Sequence, residues 1–138
     1  MKPVDQAVLN GPESDCLRAC VASILEMALD EVPNFVEEDD WMDALARFVR
    51  PLGLQPIPLD PGKATDDWAP AGYYIAVGRT VKERYHAVVG YKGQAVHDPH
   101  PTKRGLEAEE YCIFFLATLD GGDGPRSDVG TGWLARIL

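Results

Sequence analysis

The three histidines of this chain fall in one short stretch, His86-Ala-Val-Val-Gly-Tyr-Lys-Gly-Gln-Ala-Val-His97-Asp98-Pro99-His100, and far upstream lies Ser14-Asp15-Cys16-Leu17-Arg18-Ala19-Cys20. A thiol, an imidazole and a carboxylate together make a nucleophilic hydrolase. The thiolate attacks a carbonyl, the imidazole moves the proton, and the acid orients the imidazole. The chain order Cys, His, Asp suits that use, so Cys16, His86 and Asp98 are the candidate catalytic residues.

The elements that must position them are legible in the apolar spacing. Leu17, Cys20, Val21, Ile24, Leu25 and Ala28 follow an i, i+3, i+4, i+7 pattern and predict an amphipathic helix, with Ser14 and Asp15 offered as its N-cap. Cys20 lies inside the apolar stripe and reads as a small core residue. Cys16 lies about 110° from the centre of the stripe, at the edge of the buried face. It also sits in the first helical turn, where the free N–H groups and the dipole favour a thiolate. Its own backbone N–H is placed to meet an oxyanion. On the helix alone, an inert and partly buried thiol remains the competing reading. Cys112, in the apolar run Cys112-Ile113-Phe114-Phe115-Leu116, reads as structural.

Strands are predicted at Tyr73 to Val77, Tyr85 to Tyr91, Gln94 to Asp98 and Tyr111 to Leu119. A three-residue Tyr91-Lys92-Gly93 loop, with Gly93 left-handed, would pair Gly90 with Gln94 and His86 with Asp98. Directly paired side chains share a face at ~5 Å, so the hairpin itself would press the base against its orienting acid. A two-residue turn would shift that register. Pro99 ends the strand just after the acid. His97 is expected on the opposite face and His100 in the following loop, both as ordinary structural histidines. A zinc site of His86, His97, His100 and a cysteine is disfavoured, because the His-x-x-His spacing spans a proline and no Cys-x-x-Cys is present. No metal and no cofactor is expected.

The remainder frames these parts. Val4 to Leu9 reads as an extended arm, and Asn10-Gly11-Pro12 as a turn. A second helix is predicted from about Asp40 to Leu52, with Gly53 as its C′ residue. Residues 55 to 71 read as a proline-rich loop with a short edge strand at Ile57. Residues 120 to 132 read as a glycine-rich loop, and 133 to 138 as a docking terminal helix. Helices first and strands later predict an α+β fold, with helices packed on one face of an antiparallel sheet. At 138 residues, 46% hydrophobic and 25% charged, the chain is expected to form one domain over residues 1–138.

Composition also excludes classes of function. The net charge of −9 argues against binding nucleic acid. No apolar run approaches ~18 residues, so no membrane span is expected. Three cysteines, two of them four apart in one helix, make a poor disulfide framework, and no leader is visible. A cytoplasmic location is therefore expected.

Taken together, Asp15-Cys16-Leu17-Arg18-Ala19-Cys20, His86-Ala87-Val88-Val89 and Asp98-Pro99 resemble the papain-like cysteine peptidase superfamily, and within it the bacteriocin-processing (double-glycine leader) peptidase family. The resemblance spans roughly residues 4 to 100 in short motifs. It implies a papain-like fold with Cys16 as nucleophile, His86 as general base and Asp98 as its orienter. It also implies Gln6 as side-chain donor of the oxyanion hole. The chain departs from the family at Leu17, where a Gly is usual after the nucleophile, and in the longer gap from Gln6 to Cys16. In that family the peptidase usually belongs to a membrane transporter. No such part is expected here, so only the chemistry carries over. The tract 72–101 is also similar to motifs of small bacterial and phage proteins, which bring no function with them.

The leading expectation is a cysteine hydrolase of peptidase or amidase type, cleaving an amide, isopeptide or thioester bond in a peptide, a protein or a small amide. Acyl transfer to an amine would use the same residues. The alternative is a non-catalytic module, bacterial or phage, that holds a peptide or small ligand in the same cleft.

Overall fold

The computed structural model describes residues 1–9, 14–61, 72–81 and 84–118. The expected turn at residues 10 to 12, residues 62 to 71 of the expected proline-rich loop, the glycine-rich loop and the terminal helix lie outside these.

The first helix, α1 (Cys16–Leu25), forms where the apolar stripe begins and buries Leu17, Cys20, Val21, Ile24 and Leu25. It ends earlier than the pattern predicts. Glu26 turns left-handed (φ 57°), and its N–H caps the carbonyls of Ala22 and Ser23. The second helix, α2 (Trp41–Val49), is opened by the Asp40 side chain, which accepts from the Asp43 N–H at 3.0 Å. Its predicted last turn tightens to a 3₁₀ turn over Arg50–Leu52. Pro51 has no N–H to continue the α-helical ladder. Gly53 then takes the left-handed C′ conformation at φ 78°.

Five strands follow: β1 (Leu54–Leu59), β2 (Tyr73–Arg79), β3 (Tyr85–Tyr91), β4 (Gln94–His97) and β5 (Ala108–Ala117). They form one antiparallel sheet in the order β1-β5-β2-β3-β4. The fold is thus mixed α+β with an antiparallel sheet. β1 is longer than the short strand predicted at Ile57. Among the described residues its one neighbour is β5, and an edge strand tolerates Pro56 and Pro58 because one side needs no donors.

Side chains alternate across the sheet. Ile75, Val77, Ala87, Val89, Ile113 and Phe115 pack with α1 and α2 in the main core. Tyr74, Ala76, Val88, Cys112 and Phe114 form a second cluster from the opposite set of positions, with Tyr74 stacked on Phe114 at 4.9 Å. Gly90 makes room for the Tyr74 ring, since a Cβ there would lie 2.3 Å from it.

The β3–β4 hairpin corrects the expected register. Tyr91 pairs with Gln94 across a two-residue Lys92-Gly93 turn, both residues at positive φ (53° and 81°), as a type I′ turn requires. Gly90 then pairs with Ala95 but Val89 with His97, so Val96 is an extra, bulged residue. His86 and Asp98 are not ladder partners. β4 stops at His97, and the chain carries Asp98 past its end.

Candidate active site

Cys16 is the first residue of α1 and half-buried. What holds it there is Asp15, whose carboxylate is fully buried. It accepts from the Ala7 N–H at 3.0 and 3.2 Å and from the Val8 N–H at 2.9 Å. The expected N-cap therefore does different work, tying the N-terminal arm to the start of α1 and making no side-chain cap. The arm is fastened further back as well. The Val4 N–H donates to Ser23 Oγ at 2.9 Å, and His97 Nε2 donates to the Val4 carbonyl at 2.8 Å. His97 is thus a structural tie.

His86 is the second residue of β3 and almost entirely buried. Its Nε2 lies 2.7 Å from Asp98 Oδ1. Cys16 and His86 line one cavity, and the thiol is near enough to act on the pKa of the imidazole. The carboxylate is itself preorganised: Oδ1 accepts from the His100 N–H at 2.9 Å and Oδ2 from the Gly105 N–H at 2.7 Å. Lys103 clamps the same loop by donating to the Asp98 carbonyl and to Asp5 Oδ1. These contacts explain how Asp98 reaches His86 from outside the ladder.

The electrostatics follow from those contacts. Burial acts most strongly on His86 and lowers its pKa. The hydrogen bonds to Asp98 and Cys16, with the charges of both, outweigh it and push the pKa up to about 9. Burial would likewise raise Asp98, but the hydrogen bonds from His86, His100 and Gly105 bring it down to about 2. Near neutral pH the pair is imidazolium and carboxylate. Cys20 and Cys112 are fully buried, and burial raises both thiols, Cys112 to about 11.

Two cavities meet at His86. One, of about 380 Å³, holds Cys16 and is walled by Leu17, Val36, Trp41, Val77 and Tyr111. Trp41 and Tyr111 stack at 6.5 Å, and Tyr111 is close enough to Cys16 to be influenced by its charge. The other, of about 690 Å³, lacks Cys16 and carries Arg84, Arg104, His100 and Glu107. Ser14, Tyr85 and His86 line both. Leu17, where the resemblance would have a Gly, is buried against the core and forms part of the apolar wall.

Gln6 lies beside this centre but is otherwise engaged. Its backbone N–H donates to the Pro99 carbonyl at 3.1 Å. Its Nε2 donates to the Val8 carbonyl at 2.8 Å and to Ser14 Oγ at 3.2 Å. Both amide hydrogens are thereby used, and neither is left for an oxyanion. The residue that faces the cleft in its place is Ser14, which reads in sequence only as a possible cap. His100 keeps its Nδ1 on Thr102, and its ring stands edge-on to His86 at 6.2 Å. Among the described residues, no group of three or more His, Cys, Asp or Glu side chains is placed to hold a metal ion, and no helix is long and apolar enough to cross a membrane.

Trp41, Tyr111 and Tyr85 carry no sequence signal that separates them from ordinary core aromatics, and they join the site only through the tertiary fold. Compared with known proteins, the chain matches no family model, no curated protein and no solved structure.

Proposed function

We propose that this protein is a cysteine hydrolase with a papain-like arrangement of Cys16, His86 and Asp98. The observation that carries the reading is a buried imidazole 2.7 Å from a preorganised carboxylate and lining the same cavity as the Cys16 thiol. His86 is placed to take the Cys16 proton as the sulfur attacks a carbonyl and then to protonate a leaving amine. Sγ bonds to the carbonyl carbon, His86 gives its proton to the departing nitrogen, and a water activated by His86 releases the acyl group. Asp98 keeps the ring oriented and compensates its charge throughout.

The cavities support an assignment of the two halves of the substrate. The acyl carbon must sit on Cys16, so the acyl group occupies the apolar cavity. The leaving amine must reach the His86 nitrogen that faces Cys16, and from there it extends past Ser14 and Tyr85, which line both cavities, into the polar one. The substrate is then a peptide-like amide, isopeptide or thioester with an apolar group next to the reacting carbonyl. The three free thiols support a reducing, cytoplasmic setting.

The test is thiol reactivity in the native protein. Iodoacetamide near pH 6, followed by peptide mass spectrometry, is expected to label Cys16 rapidly and to spare Cys20 and Cys112. A Cys16 no faster than a small-molecule thiol at that pH would favour a ligand-binding cleft without catalysis.

A further inference from the structure

We propose that Ser14 supplies the side-chain donor of the oxyanion hole, and that Gln6 is its positioning residue. The inference rests on the hydrolase reading above and assigns a role that the resemblance gives to a different side chain.

The argument is a count of hydrogens. A tetrahedral intermediate on Cys16 places negative charge on the former carbonyl oxygen, beside the start of α1. Two donors are needed there. One is the Cys16 N–H, which the first turn of a helix leaves unpaired. Gln6 cannot be the second as it stands, because its two amide hydrogens go to the Val8 carbonyl and Ser14 Oγ. The amide cannot be turned over either. Its Oε1 would then face the Val8 carbonyl oxygen, acceptor against acceptor. The orientation is held at a cost, since Oε1 is buried with no partner among the described residues.

The consequence falls on Ser14. A hydroxyl has one hydrogen to give and lone pairs to accept with. Gln6 occupies an acceptor position of Ser14, so the Ser14 hydrogen is directed away from Gln6. Among the described residues no acceptor takes it. Ser14 lines the cavity that contains Cys16 and His86, and also the cavity on the far side of His86. It stands two residues before the nucleophile, ahead of the helix. The intermediate's oxygen is the missing acceptor: as Sγ adds to the carbonyl carbon, the C=O electron pair moves onto oxygen and is met by the Cys16 N–H and the Ser14 O–H. No proton is transferred at this point, and collapse of the intermediate re-forms C=O and expels the leaving group.

Two reagents separate this role from a merely structural one. p-Nitrophenyl acetate acylates a thiolate through a tetrahedral oxyanion. Iodoacetamide alkylates it by direct displacement at carbon, with no oxyanion. In Ser14→Ala, acylation of Cys16 by p-nitrophenyl acetate is expected to slow by roughly 100-fold or more, while alkylation stays within about twofold of the unsubstituted protein. Ser14→Thr, which keeps the hydroxyl, restores most of the acylation rate. Gln6→Glu slows acylation as well, because a carboxylate draws the Ser14 hydrogen onto itself; near-ultraviolet circular dichroism checks that this variant is folded. Ser14→Ala acylating at the unsubstituted rate overturns the proposal, and so does an equal loss with both reagents, which means Ser14 only shapes the thiol's surroundings. An unsubstituted protein that reacts rapidly with neither reagent overturns the hydrolase reading, and this proposal with it.

Discussion

His86 and Asp98 meet at 2.7 Å although the β3–β4 ladder does not pair them. The bulge at Val96 advances the register and β4 ends at His97, which leaves Asp98 beyond the ladder. The carboxylate is aimed by the His100 and Gly105 N–H groups, with its backbone clamped by Lys103. Asp98 is thus held by hydrogen bonds within its own loop, and its replacement tests orientation and charge together.

Asp98→Asn keeps the size of the side chain, removes the charge that stabilises the imidazolium and sets an NH2 against one of the backbone donors, His100 or Gly105. The rate of acyl transfer is expected to fall by roughly 100-fold, and the pKa of His86 to drop from about 9. A pH profile of Cys16 acylation, with its upper limb displaced to lower pH in the variant, checks both.

The same pair makes stability depend on pH at both ends. Asp98 is lowered from 3.8 to about 2 on folding, so its contribution is complete above 3.8 and lost as pH falls through 2. His86 is raised from 6.5 to about 9, so its contribution is complete below 6.5 and lost as pH rises through 9. The pair therefore stabilises the fold most between 3.8 and 6.5. Urea midpoints measured across pH for the unsubstituted protein and Asp98→Asn are expected to differ most in that window and to converge as pH falls through 2.

Cys16 and Cys20 lie one helical turn apart, Cys16 half-buried and Cys20 fully buried. Cys16→Ala is expected to abolish turnover and leave the urea midpoint nearly unchanged. Cys20→Ala trims a fully buried side chain, so it lowers the midpoint while Cys16 still reacts. A folded, inactive Cys20→Ala beside an active Cys16→Ala would reverse the assignment of the nucleophile.

Gly78 pairs with His86 across β2 and β3, and a Cβ there would lie 2.0 Å from the Ala108 carbonyl oxygen. That contact is with backbone of β5 and cannot be relieved by a side-chain rotation. Gly78→Ala is expected to cost about 1–3 kcal/mol by overpacking and to disturb the strand that carries His86. Thermal melting and Cys16 labelling should therefore decline together.

Trp41 walls the apolar cavity and stacks on Tyr111. Against a pair of chloromethyl ketones, one phenylalanine-derived and one aspartate-derived, Cys16 is expected to prefer the phenylalanine reagent. Trp41→Ala should erode that preference about tenfold, the loss expected when a large apolar contact is removed from a pocket. Iodoacetamide, which needs no pocket, reports whether the thiol itself has been affected.

Local pattern alone determines much of this protein. The spacing of Leu17, Cys20, Val21, Ile24 and Leu25 specifies α1, its buried face and the contrast between Cys16 at the rim and Cys20 in the core, because helical period and hydrophobic burial act over a few residues. Alternation and turn residues likewise place the four strands from Tyr73 onward. Other features depend on contacts between distant segments. The hairpin register turned on Lys92 accepting a left-handed conformation and on a bulge at Val96, and each shifts the pairing by one residue at small local cost. Asp15 looks like a helix cap until the arm bearing Ala7 and Val8 lies against it. The resemblance implies Gln6 as an oxyanion donor, but in the fold Val8 and Ser14 use its hydrogens. A chain can display which residue types are available for chemistry, but which hydrogens and lone pairs remain unspent is decided only when the folded structure brings every partner into reach.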